Sequence, residues 1–256
     1  MLKDNIISAL RSLVKNRIYK SRSGLSKGLK RKGGFRFIPR PLSLEEKFLL
    51  HLDLNGQTIY DIGAYEGILT IFFARSVGKN GKVITFEPNP LNCNIIFDHL
   101  KLNNFGNVEV KQIALGKKRE NATLAFRKLE TGIGSLQEDI KASILQKKDA
   151  QTIQVELDTL DNQIIINSLQ KPDFVKIDVE GLEMDVLDGM CWTIKSYKPK
   201  LFIEIHGVNL QSKIENVQKI VEFLIAHEYS IYHVESEKRI TPPNAQVAIM
   251  GHLYCA

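Results

Sequence analysis

The ten residues T-I-Y-D-I-G-A-Y-E-G, positions 58 to 67, constrain the fold of this chain more than any other stretch. An apolar run that ends in an aspartate and then in two glycines four residues apart reads as a buried strand entering a tight turn. The segment I-L-T-I-F-F-A that follows has the wide apolar face of a packed helix. In such a strand–turn–helix unit glycine permits positive φ, and the helix behind it presents unpaired N–H groups and the positive end of its dipole. That geometry suits a nucleotide-like ligand. Glycine also occupies such turns for packing alone, so the turn by itself leaves both readings open.

Around this unit strands and helices alternate. The Ser43-Leu44-Glu45-Glu46 run has the form of a capping box opening a helix to about Leu52. Strands are then predicted at 58–62, 82–87 and 108–112, with helices at 68–77 and 90–103 between them. An irregular insertion follows, with short strands at 123–126 and 153–157 around the polar loop T-G-I-G-S-L-Q. The alternation resumes with a helix at 159–169, a strand at 174–178, a helix from about Glu183, a strand at 201–206, a helix at 212–227 and strands at 230–234 and 246–250. This order predicts an α/β fold with a mostly parallel sheet and right-handed crossovers.

With 43 % apolar and 25 % charged residues, 256 residues fit one α/β domain with an appendage and exclude fibrous or collagen-like classes. Cys93, Cys191 and Cys255 are far apart and lack C-x-x-C spacing, so neither a zinc site nor a disulfide framework is indicated, and a reducing, cytoplasmic setting is expected. No apolar run reaches 18 residues, and the first residues lack a secretory h-region.

The net charge of +6 is unevenly placed: residues 1–40 hold twelve Lys or Arg against Asp4 alone, a net +11, which leaves −5 for the rest. Pro39-Arg40-Pro41 therefore separates a basic extension, 1–40, from a domain at 41–256. Ile6, Ile7, Leu10, Leu13, Val14 and Ile18 recur at helical spacing, followed by S-R-S-G-L-S-K-G-L-K-R-K-G-G. The expectation is an amphipathic basic helix and a flexible linker, either docked on the domain or bringing the protein to an anionic membrane surface or polyanion. Every expected cofactor contact lies beyond Thr58, so loss of residues 1–38 is expected to leave cofactor affinity unchanged.

The turn departs from the dinucleotide fingerprint G-x-G-x-x-G, because Gly63 is followed by Ala64, Tyr65 and Glu66 before Gly67. Asp61 and Glu66 flanking it would repel a pyrophosphate and suit a cationic ligand, and S-adenosylmethionine carries an ammonium and a sulfonium. Glu87 ends the next strand about twenty residues on, where a carboxylate can accept both ribose hydroxyls.

Together D-I-G-A-Y-E-G, V-I-T-F-E-P-N-P, I-A-L-G, L-D-T-L and above all V-K-I-D-V-E-G-L-E-M-D-V-L-D-G resemble the FkbM family of S-adenosylmethionine-dependent methyltransferases over roughly residues 58–204. The resemblance implies the class I methyltransferase fold, a Rossmann-like three-layer sandwich whose seven-stranded sheet has an antiparallel last strand. It also implies O-methylation of a hydroxyl on a sugar, glycan or small metabolite. S-adenosylmethionine would be held by Asp61, Gly63, Ala64, Tyr65, Gly67, Glu87, Pro88, Ala114 and Asp178. Tyr65 departs from the family, which usually has Asn there.

Methyl transfer to an alcohol needs the hydroxyl held in line with the methyl group and a base for its proton. Open α/β sheets bind ligands at the carboxyl ends of their strands, which places Asp178, Glu180 and Glu183 at the mouth of the pocket. Crowded carboxylates raise one another's pKa and tune one of them toward a useful base. Glu204 and His206 alternate on one face of the next strand and could reach the same space. Asp178, Glu180, Glu183 and His206 are the candidate catalytic residues. Asp178, Glu180, Glu204 and His206 also offer hard metal ligands, but no spacing dictates a metal and none is expected. The T-G-I-G-S loop could fold over the ligand or be an ordinary turn. RNA methylation using the basic extension is an alternative that the acidic remainder disfavours. A non-catalytic scaffold is a further one, opposed by the retained Asp61, Glu87 and Asp178.

Overall fold

The computed structural model describes residues 16–33, 38–127 and 130–256, with only the main chain described at 130–133. Its centre is a sheet of eight strands in the order β13-β12-β14-β11-β10-β3-β4-β5. Those strands are β3 (Thr58–Ile62), β4 (Lys82–Phe86), β5 (Val108–Lys111), β10 (Phe174–Ile177), β11 (Lys200–Glu204), β12 (Ile231–His233), β13 (Lys238–Ile240) and β14 (His252–Cys255). The run from β5 through β11 is parallel, and β14 is antiparallel to both β11 and β12. This is the expected seven-stranded arrangement with one strand more, β13, added as an antiparallel hairpin on β12.

The central strands are buried on both faces, which is why they read as near-continuous apolar runs. Tyr60, Ile62, Ile84, Phe86, Val175 and Ile177 pack one layer, whereas Ile59, Val83 and Phe174 pack the other. Strand alternation leaves three polar residues in the second set, Lys176, Asp61 and Thr85, neighbours in a row across β10, β3 and β4. The order reverses at β3, flanked by β4 on one side and β10 on the other, and the crevice of a doubly wound sheet opens at such a switch point.

Local chemistry sets the helix ends. Helix α1 (Leu44–His51) begins in the expected capping box: the Glu46 amide donates to Ser43 Oγ and the Ser43 amide to Glu46 Oε2, each at 3.1 Å. Helix α2 (Ile68–Ser76) follows the glycine turn, and α3 (Pro90–Asn103) starts from Asn89 as N-cap with proline at its first position. The insertion is a second sheet, β6-β9-β7-β8, made of β6 (Ala114–Leu115), β7 (Glu120–Arg127), β8 (Glu130–Ser135) and β9 (Ala150–Asp158). Helix α4 (Glu138–Leu145), which the periodicity did not announce, follows β8. Helices α5 (Leu160–Ile166), α6 (Glu183–Asp188), α7 (Cys191–Tyr197) and α8 (Leu210–Ala226) complete the layers.

Three expectations are corrected. T-G-I-G-S is not a loop but lies in β8, where Gly134 and Ser135 pair antiparallel with Phe126 and Ala125 of β7. Residues 246–250 are not the last strand. Pro242-Pro243 opens a 3₁₀ helix, Pro242–Ala248, behind a Thr241–Asn244 cap, and Gly251 at φ +98° turns the chain into β14.

The basic extension also departs from expectation. Ile18 is 56 % exposed and lies in a strand, β1 (Ile18–Lys20), paired with β2 (Lys30–Lys32). The stretch after it is docked rather than a solvated linker, since Leu25 packs with Ile59, Phe72 and Phe73, and Leu29 with Ile71, Ile96 and Leu100. Arg75 donates to the Leu25 and Lys27 carbonyls at 2.8 and 2.7 Å. The helix expected from Ile6, Ile7, Leu10, Leu13 and Val14 lies outside the described residues. No helix among the described residues is long and apolar enough to cross a membrane.

Candidate active site

The crevice at the switch point holds a cleft of ≈ 390 Å³, within the size range of small-molecule sites. Of the residues expected to hold cofactor, Gly63, Tyr65, Glu87, Pro88, Ala114 and Asp178 line it. Asp61, Ala64 and Gly67 do not. Asp61 is fully buried beneath the turn, its Oδ2 accepting from Thr70 Oγ1 at 2.6 Å and its Oδ1 lying 3.4 Å from Lys176 Nζ. Ala64 is in the core. Gly67, at φ +72°, opens α2, and a Cβ there would meet Ile96 Cγ1 at 2.7 Å. At Gly63, φ +74°, a Cβ would collide with the Asp178 carbonyl. Both glycines are thus required by backbone conformation and neighbouring chain.

The two acids expected to favour a cationic ligand, Asp61 and Glu66, are each committed to a protein cation, Lys176 and Arg31. The acids facing the cleft are instead Glu87, Asp178, Glu180 and Glu204. Glu87 is set by three donors: the Tyr65 amide to Oε2 at 2.8 Å, and the Asn89 amide and Asn92 Nδ2 to Oε1 at 2.9 and 3.0 Å. Burial pushes its carboxyl up to about 7, against those bonds, which favour the charged form. Asn89 is 1 % exposed, and its Nδ2, buried in the cleft wall, has no partner among the described residues. A spare acceptor on Glu87 beside an orphaned amide donor is a donor set that fits a ribose. Ile62, Phe86, Ile113, Leu115 and Leu124 give the apolar surface that a base needs.

The other end of the cleft is a charge cluster. Asp178 and Glu180 line the cleft, and Glu180 and Gly181 turn the chain there with φ of +51° and +102°. Ser135 Oγ donates to the Glu180 carbonyl at 2.7 Å, so β8 is pinned over this turn and the T-G-I-G-S segment does border the ligand space. Lys176, buried to 3 % exposure, places Nζ 3.3 Å from Asp178 Oδ2 and donates to the Gly63 and Ile62 carbonyls at 2.7 and 3.2 Å. Burial alone would lower its pKa, but Asp178 and Asp61 raise it above the usual lysine value.

Glu183 and His206 stand outside the lining, one contact away. Glu183 is fully buried and accepts from the Gly181 amide at 2.9 Å and Asn216 Nδ2 at 3.0 Å, and it pairs with His206 Nδ1 at 2.9 Å. His206 Nε2 then faces Asp178 Oδ1, Glu180 Oε2 and Glu204 Oε1 at 3.8, 3.7 and 3.7 Å. Burial works against its charge, but the Glu183 bond and the surrounding carboxylates raise His206 to about 9, so it is an imidazolium at neutral pH. Glu204 is held from its other oxygen by His252 Nε2 at 3.6 Å. Burial raises Glu180 to about 7. Among the described residues, Asp178, Glu204 and His206 bring ligand atoms within 4.8 Å of one another. A divalent ion there would first have to displace the His206 proton.

Asp178, Glu180, Glu183, Glu204 and His206 are thus brought together as their sequence positions implied, and Ser135 belongs to the segment expected to reach the ligand, whereas Lys176, Asn89 and Asn92 were not anticipated. Lys176 did leave a signal: a lone lysine inside an apolar parallel strand is placed there by a partner.

A sheet reversing at its first strand, a glycine turn, a carboxylate closing the second strand and β14 antiparallel between β11 and β12 together make up the class I methyltransferase fold that the resemblance implied. Residues 61–231 match the methyltransferase FkbM domain, and the chain belongs to that family. Methyltransferase 1 of Beauveria bassiana is 26 % identical over 166 residues, covering 60 % of this chain and 66 % of that protein. A tRNA (adenine(57)-N(1)/adenine(58)-N(1))-methyltransferase, TrmI of Methanocaldococcus jannaschii, is 25 % identical over 216 residues, 79 % of this chain and 64 % of its own. The matches therefore span just under two thirds of these relatives. The structure of a methyltransferase FkbM from Methylobacillus flagellatus shares the fold with a TM-score of 0.54 at 18 % identity, over 80 % of this chain and 45 % of that one.

Glu87→Ala is expected to weaken S-adenosylmethionine by roughly 10- to 100-fold, the value of charge-assisted bonds lost in a buried site. Calorimetric titration checks it, and unchanged affinity in a folded variant would remove Glu87 from the cofactor site.

Proposed function

We propose that the chain methylates a hydroxyl oxygen on a sugar, glycan or small metabolite, with Glu180 as the base. Bound S-adenosylmethionine supplies a methyl group on a sulfonium leaving group. The protein's share is to orient the acceptor, exclude water and accept the hydroxyl proton. Glu180 carries this reading: it faces the cleft, its carboxyl is poised near neutrality by burial, and its left-handed φ is a backbone cost of the kind found where a side chain is held for function. Asp178 is fixed by Lys176 at the same mouth and would orient the acceptor hydroxyl. The His206 imidazolium, fixed by Glu183, keeps three neighbouring carboxylates from repelling one another and favours the ionised form of Glu180, the form that can take the hydroxyl proton. With that cation supplied by the protein, the reading requires no metal.

A second reading, methylation of a tRNA base, is favoured by the likeness to TrmI. The net −5 of residues 41–256 and the four carboxylates around the acceptor end oppose it, since both repel phosphate. Incubation with methyl-labelled cofactor and cell extract, fractionated into glycans, lipids, RNA and small metabolites, tests the two. Label in glycan or metabolite as an alkali-stable ether supports the proposal, and label confined to RNA overturns it.

A further inference from the structure

We propose that the hairpin β1–β2 is a working part of the cofactor site, in which Arg31 and His99 are positioning residues that hold the turn at residues 65–67. The hairpin precedes the family-matched segment, which begins at residue 61, and nothing in that match assigns it a role.

Strand alternation in K-R-K sends Lys30 and Lys32 to one side and Arg31 to the other. The outer pair clamps the hairpin on α3. The Lys30 main chain exchanges two hydrogen bonds with the Asn103 amide, both 2.8 Å, and Lys32 Nζ reaches Asp98 Oδ2 at 2.6 Å. Arg31 faces inward and is only 1 % exposed. Its Nη2 lies 3.5 Å from Glu66 Oε2, while its buried Nε and Nη1 find no acceptor among the described residues. A buried guanidinium with so few partners depends on its counter-ion, so the pair ties Glu66 to the hairpin.

His99 makes a second tie through the backbone. Its Nδ1 is 2.8 Å from the Glu66 carbonyl and its Nε2 is 3.0 Å from the Lys32 amide. Burial first and Arg31 second lower His99 to about 4, so the ring is neutral. Nδ1, facing a carbonyl, then carries the proton, and Nε2 accepts from Lys32. One imidazole thereby links the hairpin main chain to the turn main chain.

The turn needs such bracing. Tyr65 and Gly67 on either side of Glu66 have φ of +53° and +72°, a conformation costly for tyrosine. The Tyr65 amide in turn sets Glu87, which faces the cofactor space. Arg31 and His99 thus act on the cofactor through Glu66, Tyr65 and Glu87. The expectation that residues 1–38 can be lost without consequence for cofactor affinity is replaced by its opposite.

The test is calorimetric titration of the full chain with S-adenosylmethionine, well below the melting temperature, for Arg31→Met, Arg31→Lys, His99→Leu and Glu66→Gln. Arg31→Met, His99→Leu and Glu66→Gln should each weaken binding by about tenfold, as misplacing a ligand-holding group does. Arg31→Lys should recover most of the loss. Arg31→Met combined with Glu66→Gln should lose less than the sum of the two, because both break the Arg31–Glu66 tie. If Arg31→Met does not fold, Glu66→Gln carries the test, its side chain being 23 % exposed. Affinity within about twofold of the parent in the folded variants, whatever their melting temperatures, overturns the proposal and leaves the hairpin a packing element.

Discussion

Glu180→Gln is expected to lower kcat by roughly 10²- to 10⁴-fold, the usual contribution of a positioned general base. Cofactor affinity should change little, because the residues that fit the cofactor's ribose, Glu87 and Asn89, follow β4, whereas Glu180 follows β10 on the far side of β3. Glutamine keeps the size and the polarity of Glu180 and removes only its capacity to take a proton. The same residue sets the pH profile. With Glu180 at about 7 and His206 at about 9, kcat/KM should rise as Glu180 ionises and fall as the His206 imidazolium is lost. Glu87 also titrates near 7, so the rising limb has two possible owners, and Glu180→Gln separates them. If Glu180 is the base, the little activity left in the variant has no rising limb of Glu180's making. Near-parental turnover in Glu180→Gln would falsify the assignment and move the proton to Asp178.

Thermal stability is expected to fall on the alkaline side, between about pH 7 and pH 10. His206 and His252 are raised to about 9 and about 10 in the folded chain from an ordinary 6.5. For each, burial opposes the charge; Glu183 outweighs it at His206, and Glu204 with Glu235 does so at His252. A histidine whose folded pKa is raised binds its proton more tightly when folded. Its contribution is therefore complete below about 6.5 and is lost as pH rises through the folded value. Shifts of this size correspond to roughly 3 to 5 kcal/mol per group, a large share of a domain's net stability. Melting temperatures from pH 6 to 10 check it, and His206→Gln should flatten the slope. A level melting curve across that range would show that the carboxylates around His206 do not depend on its charge.

Much of this molecule was legible in its residues because regular elements announce themselves locally. The apolar runs of β3, β4 and β10, the capping box of α1 and the Asn89-Pro90 start of α3 each follow from spacing and cap chemistry within a few residues. The gathering of Asp178, Glu180, Glu204 and His206 was equally legible, since a parallel sheet delivers its strand ends to one edge.

What failed were features decided by partners distant in the chain. T-G-I-G-S looks like a loop until β7 pairs with it. The stretch at 21–33 looks like a solvated linker until α2 and α3 supply pockets for Leu25 and Leu29. The charges behave in the same way. Composition established that Asp61 and Glu66 are acidic, but only tertiary contact decided that Lys176 and Arg31 would claim them and turn both from the ligand. It likewise decided that His206 would sit among four carboxylates and hold its proton. Sequence therefore determined the family, the layers of the fold and the residue types at the site. Tertiary structure determined which of those charges are free to act, because a pKa and an ion pair depend on burial and on neighbours within a few ångströms, and a one-dimensional pattern carries neither.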